Sequence, residues 1–360
     1  MAGDVRIAVL GAGTFAREAH LPGLKAHPGA RVVALFSRSQ QQAQRVADAA
    51  GGVDLVTDDL PALLARDDID AVTVASSDDN HYHYTMAALR AGKHVFCEKP
   101  LAVHASLAAE MVREARARQR INQVAFIFRY TYCIQELRRR IKAGDIGTPY
   151  HISIEWQGYG NVRAQRTATW RDRAESYGAG WVSELGSHFV DTINWAVAPV
   201  TEVCGITHTI PRTVQDPSGH EQPHETLDMA NVLVRTAGTA QGHVIVSRIT
   251  PPHATPDFMQ VVGEEGALWT SFSRGQDEFL RVSRPGGNWE EVDLPEAAKD
   301  GKPHAIFRML GSYVDALQRG GIDPDQDADF EEGYRVQTAL DNIVTSAHSR
   351  RFEAVAQGLA

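Results

Sequence analysis

The sequence predicts an α/β protein of two domains: a doubly wound parallel sheet at the N-terminus, then a domain whose sheet is antiparallel or mixed. Three observations predict it. In the first third, short β-branched runs alternate with longer helical patterns, the signature of βαβ units. Beyond Gly144, strand-like runs follow one another with few intervening helices. At 360 residues the chain exceeds one ordinary domain. The expected division is 1–124 and 125–360.

The first strand is expected over Arg6 to Leu10. The turn Gly11-Ala12-Gly13-Thr14-Phe15-Ala16 follows at once, and a helical pattern comes after it. This G-x-G-x-x-A string, placed between a strand and a helix, is a dinucleotide fingerprint in its required context. Gly11 permits the tight turn, Gly13 lets main-chain N–H groups approach a pyrophosphate, and Ala16 keeps the helix close to the sheet. The helix N-terminus then faces the anion. The second strand, Arg31 to Phe36, ends in Ser37-Arg38-Ser39. No acid stands there to hold a ribose 2′-hydroxyl, and Arg38 with its serines suits a 2′-phosphate, so the reading favours NADP(H), with NAD as the alternative. The same residues also read as a helix cap at Ser37 beside a solvated Arg38.

Further strands are expected over Ala71 to Ala75, His94 to Cys97 and Asn122 to Phe126. The helices between them are expected over Ser39 to Ala50, Tyr82 to Ala91 and Ser106 to Gln119. Glu98-Lys99-Pro100 stands at the C-terminal end of the His94 strand, the edge where open α/β sheets bind ligands. A lysine there can hydrogen-bond a hydroxyl or carbonyl and share its proton.

After a helix over Ile134 to Ala143, strands are expected over Tyr150 to Trp156, Thr201 to Ile210, Met229 to Arg235, Gly242 to Ile249, Asp257 to Val262 and Ala267 to Phe272. The polar stretch from Ile210 to Glu225, with three prolines, reads as a long loop. A helix over Gly186 to Ala196 interrupts the strands, and two helices, Ile306 to Gln318 and Phe330 to Ala347, close the chain. Glu184 and His188 are four apart, so a helical turn places them on one face, with Asp191 three further on. A carboxylate beside an imidazole suits it as a general base near neutrality. No third ligand stands at a characteristic spacing, so no metal is expected.

Composition narrows the class of ligand. With 36 Lys and Arg against 45 Asp and Glu, the net charge of -9 leaves no basic excess for a phosphate backbone, so no nucleic-acid partner is expected. No stretch approaches the ~20 apolar residues that span a bilayer, so no membrane partner is expected either. Three widely spaced cysteines read as reduced thiols, and the expected location is cytoplasmic. Between residues 155 and 181, Trp156, Tyr159, Trp170, Tyr177 and Trp181 could stack on the C–H faces of a sugar. Arg163, Arg166, Arg171 and Arg173 in the same stretch could pair with an anionic group; the alternative is core aromatics with a solvated basic loop.

These motifs, in their order, resemble the Gfo/Idh/MocA family, the glucose-fructose oxidoreductase and inositol dehydrogenase group. The resemblance rests on the Gly11 turn, Asn80-His81, Ala91-Gly92-Lys93-His94-Val95, Glu98-Lys99-Pro100-Leu101-Ala102 and Phe128-Arg129-Tyr130. It continues through Gly144-Asp145-Ile146-Gly147-Thr148-Pro149, the glycine cluster at 178–180 and Gly186-Ser187-His188-Phe189-Val190-Asp191. It implies a Rossmann domain, then an α/β domain whose open, mainly antiparallel sheet makes a homo-dimer or homo-tetramer. It also implies hydride transfer at a carbon bearing a sugar or polyol hydroxyl. The fold also hosts enzymes that cleave or rearrange a glycoside by transient oxidation, the alternative activity. Carried onto this chain, Lys99 is the catalytic lysine and His188 the proton acceptor. Glu184 stands where the family commonly has aspartate, and Ser76-Ser77 where members often carry Thr-Pro. Cofactor contacts fall to Gly11, Gly13, Thr14, Phe15, Ala16, Ser37, Arg38, Ser76, His81, Glu98 and Lys99. Substrate contacts fall to Lys99, Arg129, Trp170, Glu184 and His188.

Overall fold

A computed structural model of the protein describes residues 4–158, 167–216, 218–249, 257–271, 278–300 and 302–359. Tyr159, Arg163 and Arg166 lie outside them. The chain forms two compact units, residues 1–127 with 303–334 and residues 128–302 with 335–358.

The first unit is built on six parallel strands: β1 (Val5–Leu10), β2 (Ala30–Phe36), β3 (Leu55–Thr57), β4 (Ala71–Val74), β5 (His94–Cys97) and β6 (Asn122–Val124), in the order β3-β2-β1-β4-β5-β6. Ile7, Ala8, Val9, Leu10, Val72 and Val74 are wholly buried, as a parallel sheet covered on both faces requires. The order reverses between β1 and β4, so the carboxyl ends of these two strands border the crevice where such sheets take ligands. Helices α1 (Leu21–Ala26), α2 (Gln40–Ala49), α3 (Leu60–Leu64), α4 (Asp78–Arg90) and α5 (Ala105–Arg118) connect the strands. The short β3 and α3 were not foreseen, and the sixth strand stops at Val124 because a 3-10 turn, Ile127–Tyr130, begins three residues on.

The second unit opens with α6 (Tyr132–Lys142). It holds β7 (Pro149–Gln157), α7 (Ala174–Tyr177), α8 (Trp181–Ala196), β8 (Val200–His208), β9 (Thr213–Gln215) and β10 (Glu221–Pro223). Then come β11 (Met229–Thr236), β12 (Gln241–Ser247), β13 (Phe258–Gly263), β14 (Gly266–Thr270), β15 (Leu280–Ser283) and β16 (Trp289–Glu291). Two helices follow in sequence, α9 (Lys302–Arg319) and α10 (Phe330–Ser349), and then β17 (Glu353–Ala354). The main sheet runs β16-β15-β14-β13-β7-β12-β11-β8-β17, antiparallel except for the β7–β12 pair. In β11, Ala230, Val232 and Val234 are buried while Asn231, Leu233 and Arg235 are exposed, so one face packs inward and the other is open. α8 lies on the inward face. The stretch expected as a loop carries the small β9–β10 hairpin.

Two further boundaries differ from expectation. Residues 303–334, placed by sequence in the C-terminal domain, belong to the first unit: the Tyr313 ring lies 5.4 Å from Phe96, and Leu310 and Phe307 pack against Gly23. The second concerns α8, which begins at Trp181 rather than Gly186. The helix-stopping glycines are Gly178 (φ +51°) and Gly180 (φ +61°). Gly186 is helical, and its bare Cα lets Leu340 of α10 approach.

Candidate active site

The glycine turn is formed by main-chain constraints. Gly11 has φ +122° and donates its N–H to the Phe36 carbonyl at 2.9 Å. A Cβ there would stand 2.3 Å from the Ala75 carbonyl oxygen, so only glycine fits where β1 and β4 converge. A Cβ on Gly13 would meet nothing within 4 Å, which leaves open the approach that a pyrophosphate needs. Thr14 and Phe15 are exposed at the rim, and Ala16 is buried against the sheet. These features fit a dinucleotide.

At the end of β2, Ser39 rather than Ser37 caps α2, accepting from the Gln42 N–H at 3.3 Å. Ser37 Oγ instead accepts from the Ser39 N–H, and the Arg38 side chain is exposed. Gln42 Nε2 donates to the Ala12 carbonyl at 3.2 Å, tying α2 to the turn. After β4, Ser76 Oγ donates to the Ser77 carbonyl.

Lys99 follows β5, joined to Pro100 by a cis peptide bond, and is half-buried. Two buried histidines brace this corner. His81 Nδ1 donates to the Pro100 carbonyl at 2.8 Å, and burial holds its pKa below the ordinary value, so the ring stays neutral. It thus holds the carbonyl that follows Lys99. His20 Nε2 donates to Glu98 Oε1 at 2.9 Å, and Glu98 Oε2 accepts from the Lys99 N–H at 3.3 Å. His20 was not foreseen; its one sequence signal is its place four residues after Ala16 on the helix that leaves the turn.

In the second unit, His188 sits in the middle of α8, buried, with the Phe128 ring 4.8 Å away. Glu184 is one turn earlier in the helix, and its Oε2 accepts from Arg171 Nε at 3.3 Å. The Arg171 guanidinium lies 4.3 Å over the half-buried Trp170 ring and 5.8 Å from Tyr177. The helix thus presents Glu184 and His188 four residues apart, as the spacing predicts. Asp191 follows His188 by three residues on the same helix. Its carboxylate accepts from Arg129 Nε at 2.9 Å and Nη2 at 2.6 Å, with both side chains only 1% exposed. Arg129, expected among the substrate contacts, makes this buried pair.

A second buried network, also not foreseen, supports the segment that bears Trp170. Asp172 closes a capping box with Thr169 and accepts from His224 Nδ1 at 2.9 Å. Arg212 and Arg248 both donate to Asp228, and Ile210 N–H joins them. Burial would raise the Asp228 carboxyl, but these donors hold it well below the usual carboxylate range. Burial likewise opposes a charged His224, yet Asp172 and Asp228 together raise its pKa. Among the described residues no cluster of His, Cys, Asp and Glu could hold a metal ion. No helix among them is long and apolar enough to cross a membrane.

Residues 5–126 match the model of the oxidoreductase family with an NAD-binding Rossmann fold, and residues 134–269 match the Gfo/Idh/MocA C-terminal domain. The chain belongs to the Gfo/Idh/MocA oxidoreductase family. It is a nicotinamide-dependent oxidoreductase. It is 38% identical over 358 residues to inositol 2-dehydrogenase 3 of Saccharopolyspora erythraea, covering 98% of this chain and 96% of that protein. It is 36% identical over 337 residues to 4-carboxy-2-hydroxymuconate-6-semialdehyde dehydrogenase of a Sphingobium species, covering 88% of this chain and all of the relative (100%). A crystal structure of an NAD-binding oxidoreductase from Klebsiella pneumoniae superposes with a TM-score of 0.88 at 25% identity, over 99% of this chain and 100% of that one.

Proposed function

We propose that this oxidoreductase moves a hydride to or from a carbon bearing a hydroxyl of a sugar or polyol, with Lys99 and His188 as its catalytic side chains. The observation that carries the reading is Lys99 at the carboxyl end of β5, beside the switch point that holds the glycine turn. The near full-length similarity to an inositol dehydrogenase supports the substrate class.

The dinucleotide supplies the carbon that takes or gives the hydride. In the oxidative direction the Lys99 ammonium donates a hydrogen bond to the substrate oxygen, and His188 removes its proton as a general base. In the reductive direction His188 returns the proton. Glu184 carries negative charge one helical turn from His188 and orients a hydroxyl, while Arg171 neutralises it. Trp170 offers a face for the C–H side of a sugar ring. The exposed Arg38 and the absence of an acid after β2 favour NADP(H) over NAD. The open sheet face, with Ile206 74% and Leu233 53% exposed, supports a homo-oligomer, a dimer or tetramer. Three free thiols, Cys97, Cys133 and Cys204, fit a cytoplasmic enzyme.

The test is turnover of a panel of neutral and acidic sugars and polyols, myo-inositol included, with NADP+ and NAD+ and with both reduced forms. Lys99→Ala and His188→Ala should each lower kcat by about 10²-fold or more while dinucleotide affinity stays near that of the parent. Wild-type turnover in either variant sinks the assignment. Product formed with no net change in NADPH would favour the glycoside-cleaving alternative.

A further inference from the structure

We infer that His20 is a positioning residue for Lys99. The inference rests on the reading of Lys99 given above and adds a residue that touches neither substrate nor cofactor.

The helix leaving the glycine turn is not regular. Over Ala16–His20 it widens to a π-helical turn, closed by the Leu21 N–H donating to the Ala16 carbonyl five residues back. Such single turns insert one extra residue, and they occur often at functional sites. The insertion brings Ala16, Ala19 and His20 all inward, where His20 is 0% exposed. Its ring stands edge-on between Phe15 of the turn at 5.9 Å and Phe96 of β5 at 5.8 Å. An imidazole in so apolar a setting needs a polar partner, and Nε2 finds one in Glu98. Nδ1 has none, so the ring's whole polar commitment is to that carboxylate.

Glu98 is itself buried, and a buried carboxylate without donors is costly. It has two directional contacts here, His20 on one oxygen and the Lys99 N–H on the other. The connection therefore runs from the glycine turn through His20 and Glu98 to the main chain of Lys99. Removing the His20 donor leaves Glu98 Oε1 without that contact, so the carboxylate turns toward water and the Lys99 N–H loses its acceptor. Displacement of a catalytic group by about 1 Å suffices for a large loss of rate.

The experiment uses the full chain and five variants. Glutamine presents its nitrogen near the place of Nε2, asparagine nearer the place of Nδ1. His20→Gln should keep kcat within about threefold of the parent, while His20→Asn and His20→Leu should lower it roughly tenfold or more, with dinucleotide KM changed by less than about threefold. A readout independent of turnover is the ¹³C resonance of reductively methylated Lys99 in the ligand-free protein, assigned with Lys99→Arg. That resonance should move in His20→Asn and return in His20→Gln. If His20→Leu does not fold, the Gln and Asn pair decides. Unchanged kcat and an unchanged Lys99 resonance in His20→Asn would overturn the inference. Full turnover in Lys99→Ala would overturn the reading of Lys99 instead, leaving the resonance to judge the contact.

Discussion

The corner around Lys99 and the turn of α8 around His188 are built by opposite means. Around Lys99 the fixed geometry is mostly main chain: a glycine at φ +122°, a strand end, and carbonyls that receive imidazole or amide donors, with the buried Glu98 carboxylate accepting from His20 beside them. Around His188 the fixed geometry is ionic. Arg129 grips Asp191, Arg171 holds Glu184, and Arg212 and Arg248 converge on Asp228. The difference lies in what each region loses when one atom goes. A main-chain scaffold loses shape, whereas a buried ion pair loses its compensation and leaves a stranded charge.

The largest expected effect tests the ionic region. Asp191→Asn or Arg129→Met should destabilise the second unit by about 3–5 kcal/mol, read as a shift in denaturant midpoint. The joint change Arg129→Met with Asp191→Leu should recover most of that loss, because no charge is then stranded. A double variant as weak as the singles would mean that shape, not charge, dominates there too. Next comes Gly11→Ala, where a side chain at positive φ meets the Ala75 carbonyl. It should cost about 1–3 kcal/mol in the unfolding of the first unit and weaken NAD+ and NADP+ binding, measured by titration calorimetry. Retained affinity would show that the turn tolerates a shift.

The smallest effect is a pH dependence. His81 titrates below its ordinary 6.5 when folded, so below pH 6.5 the unfolded chain binds the extra proton and the folded chain does not. Its contribution to stability is present above 6.5 and is lost as pH falls beneath that value. The parent should therefore lose stability from pH 7 to 5 more steeply than His81→Gln, by at most about 1.4 kcal/mol per pH unit. Parallel stability curves would mean that His81 takes up its proton as readily in the fold as in the unfolded chain, and the two regions would then differ less.

The same contrast governs what was legible in the sequence. Features set within a few residues read well: the Gly11 turn, the β5 end before Lys99, and the Glu184–His188 spacing all lie in one element or its immediate connection. Ion pairs across long separations did not. Arg129 and Asp191 are 62 residues apart and are joined only by folding, so the local pattern shows each residue but not the pair. His224 and Asp172, 52 apart, left no trace in local pattern. Of three glycines near the start of α8, the helix is stopped by the two at positive φ, and a sequence does not display φ.

The placement of α9 bears on how the protein comes into being. The strands and helices of the parallel sheet leave the ribosome before the second unit's main sheet, but Phe307, Leu310 and Tyr313, which pack on Gly23 and Phe96, emerge only after β16 of that sheet. Until then the nascent sheet lacks that apolar cover, and completion of the nucleotide-binding half waits on a segment made after most of the other half.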